Sequence, residues 1–191
     1  RNQHFTRDTF EKVLRLKTIL DWMNAHEFLK THLILKGGTA INLTVFDLPR
    51  LSVDIDMDFV PNLPREDMLQ TRETISGIIK AYMDSEGYAF SPASRIHHSL
   101  DAFHFTYTNA AGNQDMIKIE LNYSLRAHLF EPMTRTFATD AFGTGSTVIT
   151  VHPMEIFAAK ANALLSRSAA RDLYDFNQMI DRNMFAEQTD L

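Results

Sequence analysis

The chain has 191 residues, of which 45% are apolar, with 24 acidic and 19 basic side chains and a formal net charge of −5. That size and apolar content suit one domain with a packed core, while the acidic balance argues against a broad, sequence-independent nucleic-acid surface, which needs a basic face. With no cysteine, disulfides and thiolate-bound zinc are excluded, and without a long apolar run or a signal-peptide pattern the expectation is a cytoplasmic protein with no membrane partner.

From Thr6 to about Ala25, Phe10, Val13, Leu14, Leu20 and Met23 recur at helical spacing, with Thr6 as cap and Asp8 in the first turn. Leu33 to Leu35 reads as a short buried strand. At Gly37-Gly38 the backbone can turn sharply and approach a ligand closely. Thr39 to Phe46 then reads as one or two helical turns, whose first N–H groups and the Thr39 hydroxyl can hold a phosphate. An ordinary glycine turn and cap fits the same residues. The next strand carries Asp54, Asp56 and Asp58 and ends at Pro61 and Pro64. Arg65 to about Glu86 reads as a helix closed by Gly87.

Asp101 to Thr108 and Met116 to Tyr123 read as an antiparallel hairpin. Residues 124–146 read as irregular, and Thr147 to Val151 as a short strand. Pro153 opens a helix to about Arg167, and a last helix covers about Ala170 to Met184. These elements predict an α/β (α+β) fold: a mixed, twisted sheet of about five strands flanked by helices. Residues 1–151 form the core, and residues 152–191 form a helical part packed on it as one structural unit.

Side chains on a strand alternate faces, so Asp54, Asp56 and Asp58 share one face and Val53, Ile55, Met57 and Phe59 the other. Three like charges in a row repel; solvent or a hard cation such as Mg2+ can neutralise them. Lys118, Glu120 and Asn122 share the outer face of their strand, where Glu120 can also pair with Lys118. Lys160 lies on a helical row with Phe157 and Leu164, on an edge where a lysine either snorkels out or faces an anion. Arg171 and Asp175 have the spacing of a surface ion pair. Ser52 and Lys36 are phosphate contacts, or a turn hydroxyl and a strand-end charge. His97, His98, Asp101 and His104 match no common zinc spacing, and the histidines read as loop histidines.

The stretches Lys36-Gly37-Gly38-Thr39-Ala40, Arg50-Leu51-Ser52-Val53-Asp54-Ile55-Asp56, Lys118-Ile119-Glu120-Leu121 and Glu155 to Phe176, in that order, resemble the AbiEii/AbiGii nucleotidyltransferase toxins of the polymerase-β-like superfamily. The resemblance implies a nucleotidyltransferase core that moves a nucleoside monophosphate from an NTP to a hydroxyl, with an RNA 3′ end, that of tRNA, as the acceptor. It implies Asp54, Asp56 and Glu120 as ligands of two Mg2+ ions, with Mn2+ as a substitute. It puts Lys36, Gly37, Gly38, Thr39, Ser52, Lys160, Arg171, Asp172 and Asp175 on the nucleotide, Lys160 among the catalytic residues, and a cognate antitoxin among the partners. Lys118, Arg126, Lys160, Arg167 and Arg171 are the cations available to RNA. Two other outcomes fit the same scaffold: a nucleotide-binding module without turnover, and kinase-like phosphoryl transfer.

Overall fold

A computed structural model describes residues 7–45, 52–124, 127–137, 146–167 and 169–181. Thr6, Phe46, Arg50, Leu51, Arg126, the side chain of Arg167 and everything past Asp181 lie outside the described residues, and with them the expected helix end at Met184.

The first helix, α1 (Arg7–Ala25), buries Val13, Leu16, Ile19, Leu20 and Met23. The buried stripe thus runs through Leu16 and Ile19, and Phe10 and Leu14 lie at its exposed margin. A short helix, α2 (Glu27–His32), leads into β1 (Leu33–Lys36), α3 (Gly37–Thr44) and β2 (Asp54–Phe59). Helix α4 (Arg65–Ser85) buries Ile75, Ile79 and Met83. It ends as the glycine predicts. Gly87 takes φ +80°, and the N–H groups of Gly87 and Tyr88 reach the carbonyls of Asp84 and Met83, which satisfies two otherwise unpaired helix-end carbonyls.

The remaining elements are β3 (Ala89–Phe90), β4 (Arg95–Ile96), β5 (Leu100–Thr108), β6 (Gln114–Asn122), β7 (Met133–Thr136), β8 (Thr147–Thr150), α5 (Pro153–Arg167) and α6 (Ala170–Asp181). The described strands form one sheet in the order β3-β5-β6-β2-β1-β8-β7, with β4 also on β5. Parallel pairing joins β2 to β6 and β1 to β8, and the rest is antiparallel. The mixed sheet flanked by helices is as expected. Its strand number is eight rather than about five. The additional strands β3, β4 and β7 are two to four residues long and mostly exposed. Such short edge pieces hold by backbone pairing and carry no apolar alternation to read.

One apolar cluster joins the inner faces of β1, β2, β5 and β6 to α1, α4 and α5, and it includes Ile156, Phe157 and Met179 of the last two helices. Phe59, Phe103, Phe105 and Phe157 are fully buried, each stabilising by roughly 1.5–3 kcal/mol. This cluster holds β2 between β6 and β1, at the middle of the sheet. The polar face of β2 is thereby presented, in fixed register, to whatever lies on the other side.

Candidate active site

On that polar face the register sets Asp54 beside Lys118, Asp56 beside Glu120 and Asp58 beside Asn122, while Lys36 stands across from Asp56 on the antiparallel side. Residues that are side-chain neighbours on one face of paired strands have Cβ atoms about 5 Å apart. Four carboxylates and two lysines therefore meet in one small patch. They line a cavity of about 380 Å³, within the range that takes a small-molecule ligand.

The carboxylates are not equivalent. Asp58 is buried and engaged: Lys36 Nζ pairs with it, and Asn122 Nδ2 donates to it at 2.7 Å. Lys36 is thus the counter-charge of the third aspartate as well as a wall of the cavity. Glu120 pairs with Lys118 at 2.8 Å. Burial would raise the Glu120 carboxyl, but the hydrogen bond and charge of Lys118 outweigh it and the net shift is downward. Asp56 is pushed up to about 6, first by burial, then by a hydrogen bond with Glu120 and by the charges of Glu120 and Asp54; Lys118 opposes the shift. Below about pH 6 a proton shared between the two carboxyls resides on Asp56.

A site that draws in a proton to relieve its own charge is chemically fitted to a hard cation with oxygen ligands. The placing of Asp54, Asp56 and Glu120 on one face of paired strands, at the wall of the cavity, is the observation that makes the fit to Mg2+. Among the described residues no three carboxylates or imidazoles already converge on a single point, since Glu120 leans to Lys118.

Gly37 sits at the edge of this patch with φ +73°, and a Cβ there would lie 2.7 Å from Asp56 Oδ2. Both a left-handed backbone and the lack of a side chain are required at that position. The glycines belong to α3 itself, which begins at Gly37. Gly37, Gly38 and Ser52 line the cavity. Thr39 does not have the place expected of it. It is fully buried, and its hydroxyl donates to the Asp54 carbonyl, so it locks helix to strand and is unavailable to a phosphate.

Across the cavity stands α5. Its residues Glu155, Ile156, Ala159, Lys160 and Ala163 line the wall, with Arg171 of α6 beyond. Lys160 is buried and reaches Asp175 at 2.9 Å and Asp172 at 3.5 Å, both fully buried. The lysine therefore neither snorkels out nor stands alone as an anion site. It is clamped at the cavity wall by two carboxylates behind it. Asp172 and Asp175 are thus not in the lining expected of nucleotide contacts, and Asp175 is a buried partner of Lys160 rather than the surface residue that its spacing from Arg171 suggests. Asp101 is taken by a buried Arg72, at 2.6 and 3.0 Å. Arg72 also donates to the His97 and His98 carbonyls, so this histidine-rich segment anchors a loop.

Two residues of the lining escape a reading of the sequence. His128 Nδ1 contacts Glu155 Oε2 at 2.9 Å, and Glu155 Oε1 accepts from the Phe130 N–H at 2.8 Å. Burial would raise the Glu155 carboxyl, but the hydrogen bonds from the Phe130 N–H and His128 lower it on balance. Glu155 lies in a stretch that carries the resemblance. His128 lies alone in a stretch with no periodicity, and nothing in its surroundings signals a site.

The family model "Nucleotidyl transferase AbiEii toxin, Type IV TA system" matches residues 19–191. No curated protein matches the chain. Among solved structures, JHP933 from Helicobacter pylori is similar, with 17% identity and a TM-score of 0.60 over 92% of this chain and 67% of that one. MenT4, a nucleotidyltransferase toxin from Mycobacterium tuberculosis, is similar with 21% identity and a TM-score of 0.59 over 91% of this chain and 60% of that one. At those identities the likeness is one of fold, and the chain spans about two thirds or less of either protein.

Proposed function

The chain belongs to the AbiEii nucleotidyltransferase toxin family, and on that premise we propose that it moves a nucleoside monophosphate from an NTP onto the 3′ hydroxyl of an RNA, that of a tRNA, in the cytoplasm. The carboxylate patch of Asp54, Asp56 and Glu120 facing Lys160 and Arg171 across one cavity carries the reading. Asp54, Asp56 and Glu120 would hold Mg2+, with Mn2+ as a substitute. The metal supplies charge neutralisation for the triphosphate and activation of the attacking hydroxyl.

The chain's own groups do the rest. The Gly37–Gly38 start of α3 offers free N–H groups to phosphate oxygens, and Ser52, Lys36, Lys160 and Arg171 stand around that point. The acceptor oxygen forms a bond to the α-phosphorus, the bond from that phosphorus to the bridging oxygen breaks, and pyrophosphate leaves with the electron pair. The acceptor's proton passes to a carboxylate of the site.

The family supplies the toxin role in a type IV toxin–antitoxin system, and with it a cognate antitoxin as partner. No described helix is long and apolar enough to cross a membrane. RNA affinity rests on few cations, since Lys118 and Lys160 are each engaged with carboxylates. The log–log salt slope for tRNA is accordingly shallow, about 2 to 4 at roughly one unit or less per phosphate contact.

The test is incubation with NTP labelled at the α-phosphate and purified tRNA, beside tRNA whose 3′ terminus has been oxidised. Label on intact tRNA alone is the expected result. Label surviving oxidation refutes the 3′ acceptor, transfer of a γ-phosphate label makes the protein a kinase, and binding without transfer makes it a nucleotide-binding module.

A further inference from the structure

Beside the carboxylate patch the cavity has a second polar feature. The side chain of His128 is 7% exposed and lines the cavity with Glu155. Its Nδ1 is taken by Glu155. Its Nε2 is buried and has no hydrogen-bond partner among the described residues. A buried polar atom left unpaired costs roughly 1–3 kcal/mol, a cost that a group entering the neighbouring cavity would relieve.

The hydrogen-bond chain fixes what that something offers. Glu155 is ionised and can only accept, so Nδ1 carries the proton and donates to it. In the neutral ring Nε2 is then an acceptor, and its partner must be an O–H or N–H; an imidazolium Nε2–H would instead donate to a phosphate, which all NTPs share, and would leave the nucleotide ratios measured below unchanged. The phosphates of an NTP have no such donor. The nucleoside has them, in the ribose hydroxyls and on the base edge. Val151, Ile156, Ala159 and Ala163 give the same cavity apolar lining, which suits the faces of a sugar or base.

We infer that His128, oriented by Glu155, reads a hydrogen-bond donor of the nucleoside part of the substrate and so sets which nucleotide the enzyme accepts. The inference rests on the NTP-dependent reading above and adds a specificity residue to it. Glu155 is a positioning residue: it acts by holding the tautomer of the ring.

The experiment measures equilibrium dissociation constants for Mg2+ complexes of α,β-methylene analogues of ATP, GTP, CTP and UTP, and for the 2′-deoxy and 3′-deoxy forms of the tightest binder. Ratios between nucleotides are unaffected by the fraction of protein folded, so a destabilised variant still reports. His128→Ala is expected to reduce the ratio that wild type shows by about tenfold, the worth of one good hydrogen bond. In turnover KM for the preferred NTP rises by a similar factor and kcat holds. A ratio lost among the bases places the donor on the base. A ratio lost between ribo- and deoxy-forms places it on the sugar.

Glu155→Gln tests the orienting role. With its carbonyl kept on the Phe130 N–H, the amide donates to Nδ1, the other ring nitrogen takes the proton, and Nε2 becomes a donor. The ranking of nucleotides should then change rather than merely flatten. Unchanged ratios in both variants overturn the inference while leaving nucleotidyl transfer intact. A wild-type protein that binds none of the nucleotides overturns the transfer reading and the inference with it.

Discussion

Asp56→Asn should abolish transfer and, in the metal-free protein, raise stability. The Asp56 carboxyl rises from its ordinary 3.8 to about 6 in the folded state, which corresponds to about 3 kcal/mol of folded-state penalty on the ionised form, at 1.36 kcal/mol per pH unit. Asparagine removes that charge and gives up part of the hydrogen bond with Glu120, worth about 1 kcal/mol. The net gain is about 2 kcal/mol at pH 8. For a domain of this size that raises Tm by about 4–8 °C. The sign follows from linkage. The folded state holds the proton to about pH 6 and the unfolded state only to about 3.8, so between those values the folded state binds more protons and stability falls as pH rises. Above about 6 the penalty is complete, and towards pH 4 it vanishes.

The assay is thermal unfolding in chelator at pH 4 and pH 8, with Mg2+ then added at pH 8. The variant should lead wild type at pH 8 and fall slightly below it, by up to about 1 kcal/mol, near pH 4. Mg2+ should raise the wild-type Tm and leave that of the variant nearly unmoved. An equal lead at both pH values would show that packing, not charge crowding, limits wild type. Wild-type turnover in the variant would refute the assignment of Asp56 to the reacting centre.

Gly37→Ala should cost about 1 kcal/mol or somewhat more for the left-handed backbone, and should lower kcat far more than it lowers stability, because the new Cβ displaces the Asp56 carboxylate it would meet at 2.7 Å; parallel kcat and Tm measurements separate the two effects. Lys160→Ala removes the ammonium shared by two fully buried carboxylates and should cost about 3–5 kcal/mol, read as a fall in the urea midpoint. A reading of the sequence expects NTP affinity to suffer before the fold, and burial of both partners reverses that order. Recovery of the midpoint in Lys160→Met with Asp172→Asn and Asp175→Asn would confirm it. Arg72→Ala strips Asp101 and two loop carbonyls of their donor, and a loss of similar size is expected by the same measurement; a loss below about 1 kcal/mol would show that water replaces the guanidinium.

What was legible in the sequence and what was not divide along a physical line. Strand parity alone puts Asp54, Asp56 and Asp58 on one face and Glu120 with Lys118 on another. It does not say that the two faces are the same surface. That follows from the parallel β2–β6 pairing, a contact between chain segments more than sixty residues apart, and without the family resemblance nothing local would indicate it. Helix periodicity likewise places Lys160 on a buried edge, where its ammonium needs a counter-charge. The sequence leaves that counter-charge open between a bound phosphate and a protein carboxylate, and the answer lies in how α6 folds back on α5.

Thr39 shows the converse. A threonine after two glycines at a helix start has the right chemistry for a phosphate, but the strand it packs against offers the Asp54 carbonyl first. His128 is the limiting case. It lies in a stretch with no period, its partner is 27 residues away, and its importance consists in a nitrogen that has no partner. Residue type and spacing describe bonds a chain can make. An unmade bond at the wall of a cavity becomes visible only when every neighbour is in place, which is why nucleotide selection, more than the transfer reaction, had to be argued from the folded molecule.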